Sequence, residues 1–530
     1  MTRAEDIHNR RWAILGVLCL SLFVIVMDNT IVNVALPSLV RELGATTSQL
    51  QWIVDSYTLV FAGLLLSFGA LGDRFGRKGA LTSGMAIFGL ASLAAALSNS
   101  AGELIAARAV MGVGAALIMP ATLSILTNVF TVAKERAVAI ALWSAIAGVA
   151  VALGPVTGGF LLDHFSWGSV FLVNVPIVIG AVIAGWLIVP TSRDPAAPRV
   201  DVVGALLSIV GLIGLVYTII EAPRHGWTSA ETVTGFTVSL AVLAIFIAFE
   251  LRHEDPMLDV RFFKNPRFTA ASVSVTLVSF ALFGFIFMST QYLQFVMGYS
   301  PLSAGVHTIP FALAVMVMAP RSAKLVERFG TKRVVATGML MFAIGLVVAS
   351  TSTVSSGYGI VLVAIVLMGS GMGLTIAPAT ESIMGSLPKE KAGVGSAVND
   401  TTRELGGALG VAVVGSLLSS VYTAHLTDAA AGRVPQPALD AATSSVGAAL
   451  AVAQRIGPAA EPLVTAARQA FVDGMVIGSR VTAVVAVIGA LVALKWLPAR
   501  AADDVETFET FEIDADVQAI DTLELVAADR

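Results

Sequence analysis

An all-α integral membrane protein with fourteen spanning helices is the architecture this sequence predicts, and three observations predict it. First, 56% of the 530 residues are apolar and 13% are charged, with mean hydropathy +0.85; soluble chains carry about 25% charged residues. Second, the apolar residues gather in runs close to the roughly 20 that cross a bilayer as a helix. Third, lysine and arginine crowd every other short loop, the asymmetry that membrane insertion imposes.

The runs fall at 12–36, 50–71, 80–97, 104–126, 137–162, 170–189, 202–220, 233–249, 270–287, 304–318, 334–349, 359–376, 395–421 and 475–497. The first is longer than the roughly 7–15 apolar residues of a signal-peptide core, so it reads as a span. Loops on the N-terminal side carry Arg10 with Arg11, Arg77 with Lys78, Lys332 with Arg333, and Lys389 with Lys391. The short loops opposite carry Arg41 and Arg224. Both termini are therefore expected in the cytoplasm, with the chain multi-pass in the cell membrane. The single cysteine, Cys19, excludes an internal disulfide, and a net charge of −4 gives no footing for a nucleic-acid partner.

The loop after the second span reads GALGDRFGRKGAL, from Gly69 to Leu81. A weaker copy, APRSAKLVERFGTKR, follows the tenth span, with Glu327, Arg328, Gly330, Lys332 and Arg333 echoing Asp73, Arg74, Gly76, Arg77 and Lys78. The two copies occupy matching places if each half has six helices and two extra helices lie between. The expected domains are then a six-helix bundle at 1–195, two helices and a linker at 196–265, and a second bundle at 266–498. A long outer loop, 422–474, has room for a short helix. An acid-rich tail, 499–530, reads as disordered and cytoplasmic. In the first copy Gly72 permits close helix approach, Gly76 a tight turn, and Asp73 a pairing with arginine that latches one state. The other reading is that the loop only sets topology.

That loop, with Gly69, Gly72, Asp73, Arg74, Gly76, Arg77 and Lys78, resembles the signature loop of the major facilitator superfamily. Three further stretches resemble its fourteen-span drug:proton antiporter branch: MDNTIVNVALP in the first span, LIAARAVMGVGAA in the fourth, and LGPVTGGF in the fifth, with Gly154, Pro155, Gly158 and Gly159. The resemblance covers nearly the whole chain, more weakly in the outer loop and the tail. It implies two six-helix bundles with two additional central helices, and kinship with bacterial multidrug and antibiotic exporters, including quaternary-ammonium efflux pumps. It departs at Ala150, where a glycine is usual, and at Asn399 and Arg403, which make the cavity less negative. Those changes are more like the antibiotic self-resistance exporters.

Charges inside the spans are the candidate working parts, because ionisable residues in hydrocarbon cost roughly 2.5–3.5 kcal/mol each and are functional by default. Asp28 and Asp55 each lie about 24 Å above the inner end of their helices, and Arg108 lies at a similar depth. In the thirteenth span Asp400, Arg403 and Glu404 share one helix face at i, i+3, i+4. The resemblance implies acids at the positions of Asp28, Asp55, Asp400 and Glu404. Burial disfavours a charged carboxylate, so such an acid can hold either a proton or a cationic cargo. The alternative is that these acids only pair with Arg108 and Arg403 to fix packing. Asn33, Tyr57, Trp143, Asn174, Phe283, Gln291, Tyr292 and Arg403 are candidates for an apolar pocket with a few polar groups.

The function expected is proton-coupled export of amphipathic drugs or antibiotics by alternating access, by a monomer, with proton-coupled export of a single metabolite or amino acid as the alternative. No GxxxxGK[ST], HExxH or GxSxG occurs, so an enzyme is not expected. No cofactor or metal is implied: the six histidines have no ligand spacing.

Overall fold

A computed structural model describes residues 3–193, 201–253, 256, 258–387, 392–430, 434–457 and 460–497. Among them the structure is helical, with no strand. Fourteen helices are long and apolar enough to cross a membrane. The expected tail 499–530, with Lys389 and Lys391, lies outside the described residues.

The first bundle comprises α1 (Arg3–Leu43), α2 (Thr47–Phe75), α3 (Arg77–Ala96), α4 (Ala101–Val129), α5 (Ala133–His164), and a sixth span split into α6 (Ser169–Leu172) and α7 (Asn174–Ile188). The extra pair is α8 (Val202–His225) and α9 (Ala230–Glu250). The second bundle begins with α10 (Pro266–Gln291), which runs on through a π turn at Tyr292–Val296. It continues with α11 (Pro301–His307) and α12 (Ile309–Phe329), α13 (Thr331–Ala349), α14 (Tyr358–Met384) and α15 (Ala392–Ala430). Two short helices, α16 (Gln436–Ala442) and α17 (Val446–Ile456), precede α18 (Glu461–Trp496).

Most helices outrun their apolar stretches, because the hydrogen-bond ladder continues through polar ends that hydropathy counts as loop. The tenth span breaks at Thr308, just before Pro310, which has no N–H to extend the ladder. The outer loop expected at 422–474 is shorter than that. α15 continues to Ala430, α18 starts at Glu461, and two helices rather than one fill the gap. Thr46 starts α2 with a capping box, giving its N–H to Gln49 Oε1 at 3.0 Å and accepting the Gln49 N–H at 3.3 Å. α2 passes to α3 through Gly76 alone (φ 135°), and α12 passes to α13 through Gly330 alone (φ 82°). Both repeats thus turn on a backbone conformation that only glycine adopts readily.

The two bundles join at the end opposite Gly76 and Gly330. Gln51 Nε2 on α2 donates to the Ala412 carbonyl of α15 at 2.8 Å. Gln294 Nε2 donates to the Val34 carbonyl of α1 at 2.9 Å, and Ser300 Oγ donates to Asp163 at 3.0 Å. Thr47 binds the Ser444 carbonyl between α16 and α17 through its N–H at 3.2 Å and its hydroxyl at 3.0 Å. Toward the other end, α5 and α12 leave Val138, Leu142, Leu313, Met316 and Val317 exposed. The α8–α9 pair leans across the seam between α2 and α15. Leu59, Val216, Ile219, Ile220, Ala408 and Ala412 form one apolar cluster there, and Ser416 Oγ donates to the Ile219 carbonyl at 2.8 Å.

Candidate functional site

Asp28 and Arg108 meet. Arg108 Nη1 donates to Asp28 Oδ2 at 2.5 Å, and both side chains are fully buried. Asn174 Nδ2 donates to the other carboxylate oxygen at 2.8 Å and to Ser92 Oγ at 3.0 Å. Arg108 Nε donates to the Ile53 carbonyl at 3.0 Å, and the Tyr57 ring lies 4.3 Å from the guanidinium carbon. Five helices of one bundle therefore converge on this ion pair. A buried pair is tolerated when its remaining hydrogen-bonding capacity is largely met; α2 and α7 meet part of it here, while Arg108 Nη2 meets no acceptor among the described residues. Gly112, one turn beyond Arg108, lets α4 close on α2: a Cβ there would stand 2.6 Å from the Tyr57 carbonyl. In this conformation the Asp28 carboxylate faces the interior of its own bundle, against Arg108 and Asn174.

Asp55 is also fully buried, yet among the described residues neither of its oxygens meets a hydrogen-bond donor. It stands one turn from Gln51, on the side of α2 that faces α15.

The second group lies on α15. Arg403 Nη2 is 3.6 Å from Asp400 Oδ1 and 3.4 Å from Glu404 Oε1. The Arg403 side chain is 34% exposed, while Glu404 is buried. Asn29 of α1 and Tyr57 of α2 lie near Glu404, and Asn29 Oδ1, the Tyr57 hydroxyl and Glu404 Oε2 meet no hydrogen-bond partner among the described residues. The two groups are thus neighbours across the seam, with Asn29 and Tyr57 between them. Asn399 turns to α14, accepting from Thr380 Oγ1 at 2.9 Å.

The other expected pocket residues divide. Asn174 and Tyr57 belong to the Asp28 group. Asn33 donates to the Asn29 carbonyl in its own helix at 3.0 Å, and Gln291 likewise to Phe287 at 2.9 Å. Tyr292 gives its hydroxyl to the Thr353 carbonyl at 2.8 Å, inside the second bundle and away from the acids. Phe283 covers Gly407, whose Cβ would lie 3.1 Å from the ring. Trp143 is half-buried on α5, and its Nε1 meets no acceptor among the described residues. Gln51 and Gln294, which cross the seam, were not singled out; a lone glutamine in an apolar run was the available signal.

In the glycine-rich loop, Arg77 Nε binds Asp73 Oδ1 at 2.6 Å. Arg77 N–H reaches the Ser192 carbonyl at 3.0 Å, and Lys78 reaches the Trp186 carbonyl at 2.7 Å. The Arg74 guanidinium lies over Phe75, and Gly69 packs on Pro120. These contacts tie the loop to its own bundle. The fifth-span glycines are contact surface. A Cβ on Gly154 would strike Thr30, and one on Gly158 would lie 2.6 Å from Ile31. One on Gly159 would lie 2.5 Å from both the Pro301 carbonyl and Leu302 Cα, and Gly305 returns the contact at the Pro155 carbonyl.

The sequence matches the family described as Major Facilitator Superfamily over residues 18–411. It is 37% identical over 467 residues to "Multidrug efflux pump LfrA" of Mycolicibacterium smegmatis, covering 88% of this chain and 92% of that one. It is 34% identical over 502 residues to "Tetracenomycin C resistance and export protein" of Streptomyces glaucescens, covering 93% of each. In fold it is similar to a bacterial homolog of the human lysosomal transporter Spinster (TM-score 0.62, 17% identity, covering 93% of this chain and 99% of that one).

Proposed function

We propose that this chain, which belongs to the major facilitator superfamily, exports amphipathic drugs or antibiotics across the cytoplasmic membrane in exchange for protons. The names of its relatives support drug export. The observation that carries the exchange reading is the position of Glu404. It is a buried acid at the seam, beside Arg403 on its own helix and near Asn29 of the other bundle, and its Oε2 meets no hydrogen-bond donor among the described residues.

In the cycle we propose, the stretches 1–195 and 266–498 rock about the seam, and 196–265 braces it. We take the arginine-rich loops as the cytoplasmic face; with the bundles joined at the opposite end, cargo enters from inside in this state. Glu404, with Asp400 beside it, holds either a proton or the polar head of the cargo. Asp55 is the second acid with capacity to spare. Asp28 and Arg108 act in this state as a strut. The loop at Asp73 latches the cytoplasmic end when the bundles rock shut. One charge moved through 100 mV yields about 2.3 kcal/mol, and one pH unit about 1.4 kcal/mol per proton. A single proton therefore sustains at least a roughly tenfold cargo gradient. Arg403 offsets one of the two acids beside it, which suits neutral or weakly basic cargo better than dications.

The test is reconstitution in liposomes with an imposed pH gradient and a panel of drugs, comparing wild type with Glu404→Gln and Asp55→Asn. Wild type should accumulate drug against its gradient, and Glu404→Gln should not. Undiminished pH-driven accumulation by Glu404→Gln would remove it from the exchange role. Transport of one metabolite and no drug would move the reading to a metabolite exporter.

A further inference from the structure

A second pair of buried acids lies outside the seam. Asp201 caps α8, its Oδ1 accepting the Gly204 N–H at 2.7 Å. Glu250 ends α9, and its Oε2 accepts the Leu258 N–H from the linker at 2.8 Å. Only 5% and 2% of these residues are exposed. Each carboxyl has thus spent one oxygen on a backbone donor. The other two, Asp201 Oδ2 and Glu250 Oε1, meet no other donor among the described residues. They point into one small space, where a side chain on Gly204 would collide with both.

No cation enters that space among the described residues. The other charge that reaches Glu250 is a further acid, Asp259. Arg261 turns its guanidinium to the Leu251 carbonyl at 3.1 Å, and Arg252 and His253 are exposed. α2 and α15 meet α8 at Gly63, Leu59 and Ala408 among other residues. Two carboxylates cannot both stay ionised in one buried space, and a single shared proton resolves the conflict.

We propose that Asp201 and Glu250 hold one proton between them, and that this proton fastens the base of the α8–α9 pair to the linker entering the second bundle. When it leaves as pH rises, two like charges face each other without solvent. Glu250 then swings outward, its bond to Leu258 breaks, and the linker loosens. The site is independent of Glu404, so either can fail without the other.

The experiment uses the full-length protein in lipid nanodiscs. Trypsin cleavage at the linker arginines, Arg252 and Arg261, is followed from about pH 6 to about pH 9. Wild type and Glu250→Gln are compared at each pH, so the protease's own pH dependence cancels. Glutamine supplies its own hydrogen at every pH. The ratio of wild-type to variant cleavage rate should therefore rise about tenfold, the change in ionised fraction over one pH unit. Asp201→Asn keeps the helix cap, because asparagine caps as well as aspartate. It should give the same rise, and it carries the test where Glu250→Gln does not fold. A ratio that stays flat or falls overturns the proposal.

Discussion

Gly159→Ala puts one methyl group where the structure has no room for it. The new Cβ would lie 2.5 Å from the Pro301 carbonyl and from Leu302 Cα. Both atoms are backbone, so no rotamer change relieves the contact, and α5 and α11 must part. Overpacking of this kind costs about 1–3 kcal/mol. If α5 and α11 touch here in only one of two conformations, that cost falls on one side of the equilibrium. It then shifts the populations about 5- to 150-fold. Spin labels at exposed Phe165 and Val306, flanking the contact, report the separation once Cys19, the one native cysteine, is replaced. The expected result is a longer inter-label distance in Gly159→Ala and slower drug export. An unchanged distance distribution with undiminished export would refute the view that this contact closes the end opposite Gly76 and Gly330.

Three further outcomes are expected. Arg108→Met should destabilise the protein by about 3–5 kcal/mol, because it leaves Asp28 charged and unpaired in the interior. Adding Asp28→Asn should recover part of that loss in thermal unfolding. Gly76→Ala and Gly330→Ala should each cost about 1–3 kcal/mol, since both positions have φ values reserved for glycine; thermal unfolding of the two variants reads this out. Gln51→Leu should weaken the seam by removing the bond to the Ala412 carbonyl, seen as faster modification of a cysteine placed at Thr47.

Much of the fold was legible because hydrocarbon demands long apolar helices with satisfied backbones, and fourteen runs announce themselves. The glycine turns were legible too, since Gly76 and Gly330 repeat with their flanking charges. The ends of the loop before α18 are not legible in sequence, because helices α15 and α18 run past the apolar stretch and composition alone does not mark where a helix stops. The acids were found by their cost, but depth along a helix carries no facing direction. Asp28 and Glu404 look alike in sequence. Only the meeting of α1, α3, α4 and α7 shows that one is enclosed and the other stands at the seam. Gln51 and Gln294 are not legible in sequence, because a single amide acquires meaning only when the other bundle approaches it.

The most direct test of the central claim, that one acid at the seam holds either proton or cargo, is a count of protons released on drug binding. Calorimetry in buffers of different ionisation enthalpy, at a pH where the acid is still protonated, gives that count by linkage. The account predicts that wild type releases protons on binding and that Glu404→Gln releases none while still binding drug. Binding to wild type with no proton released, or equal release from Glu404→Gln, would contradict it.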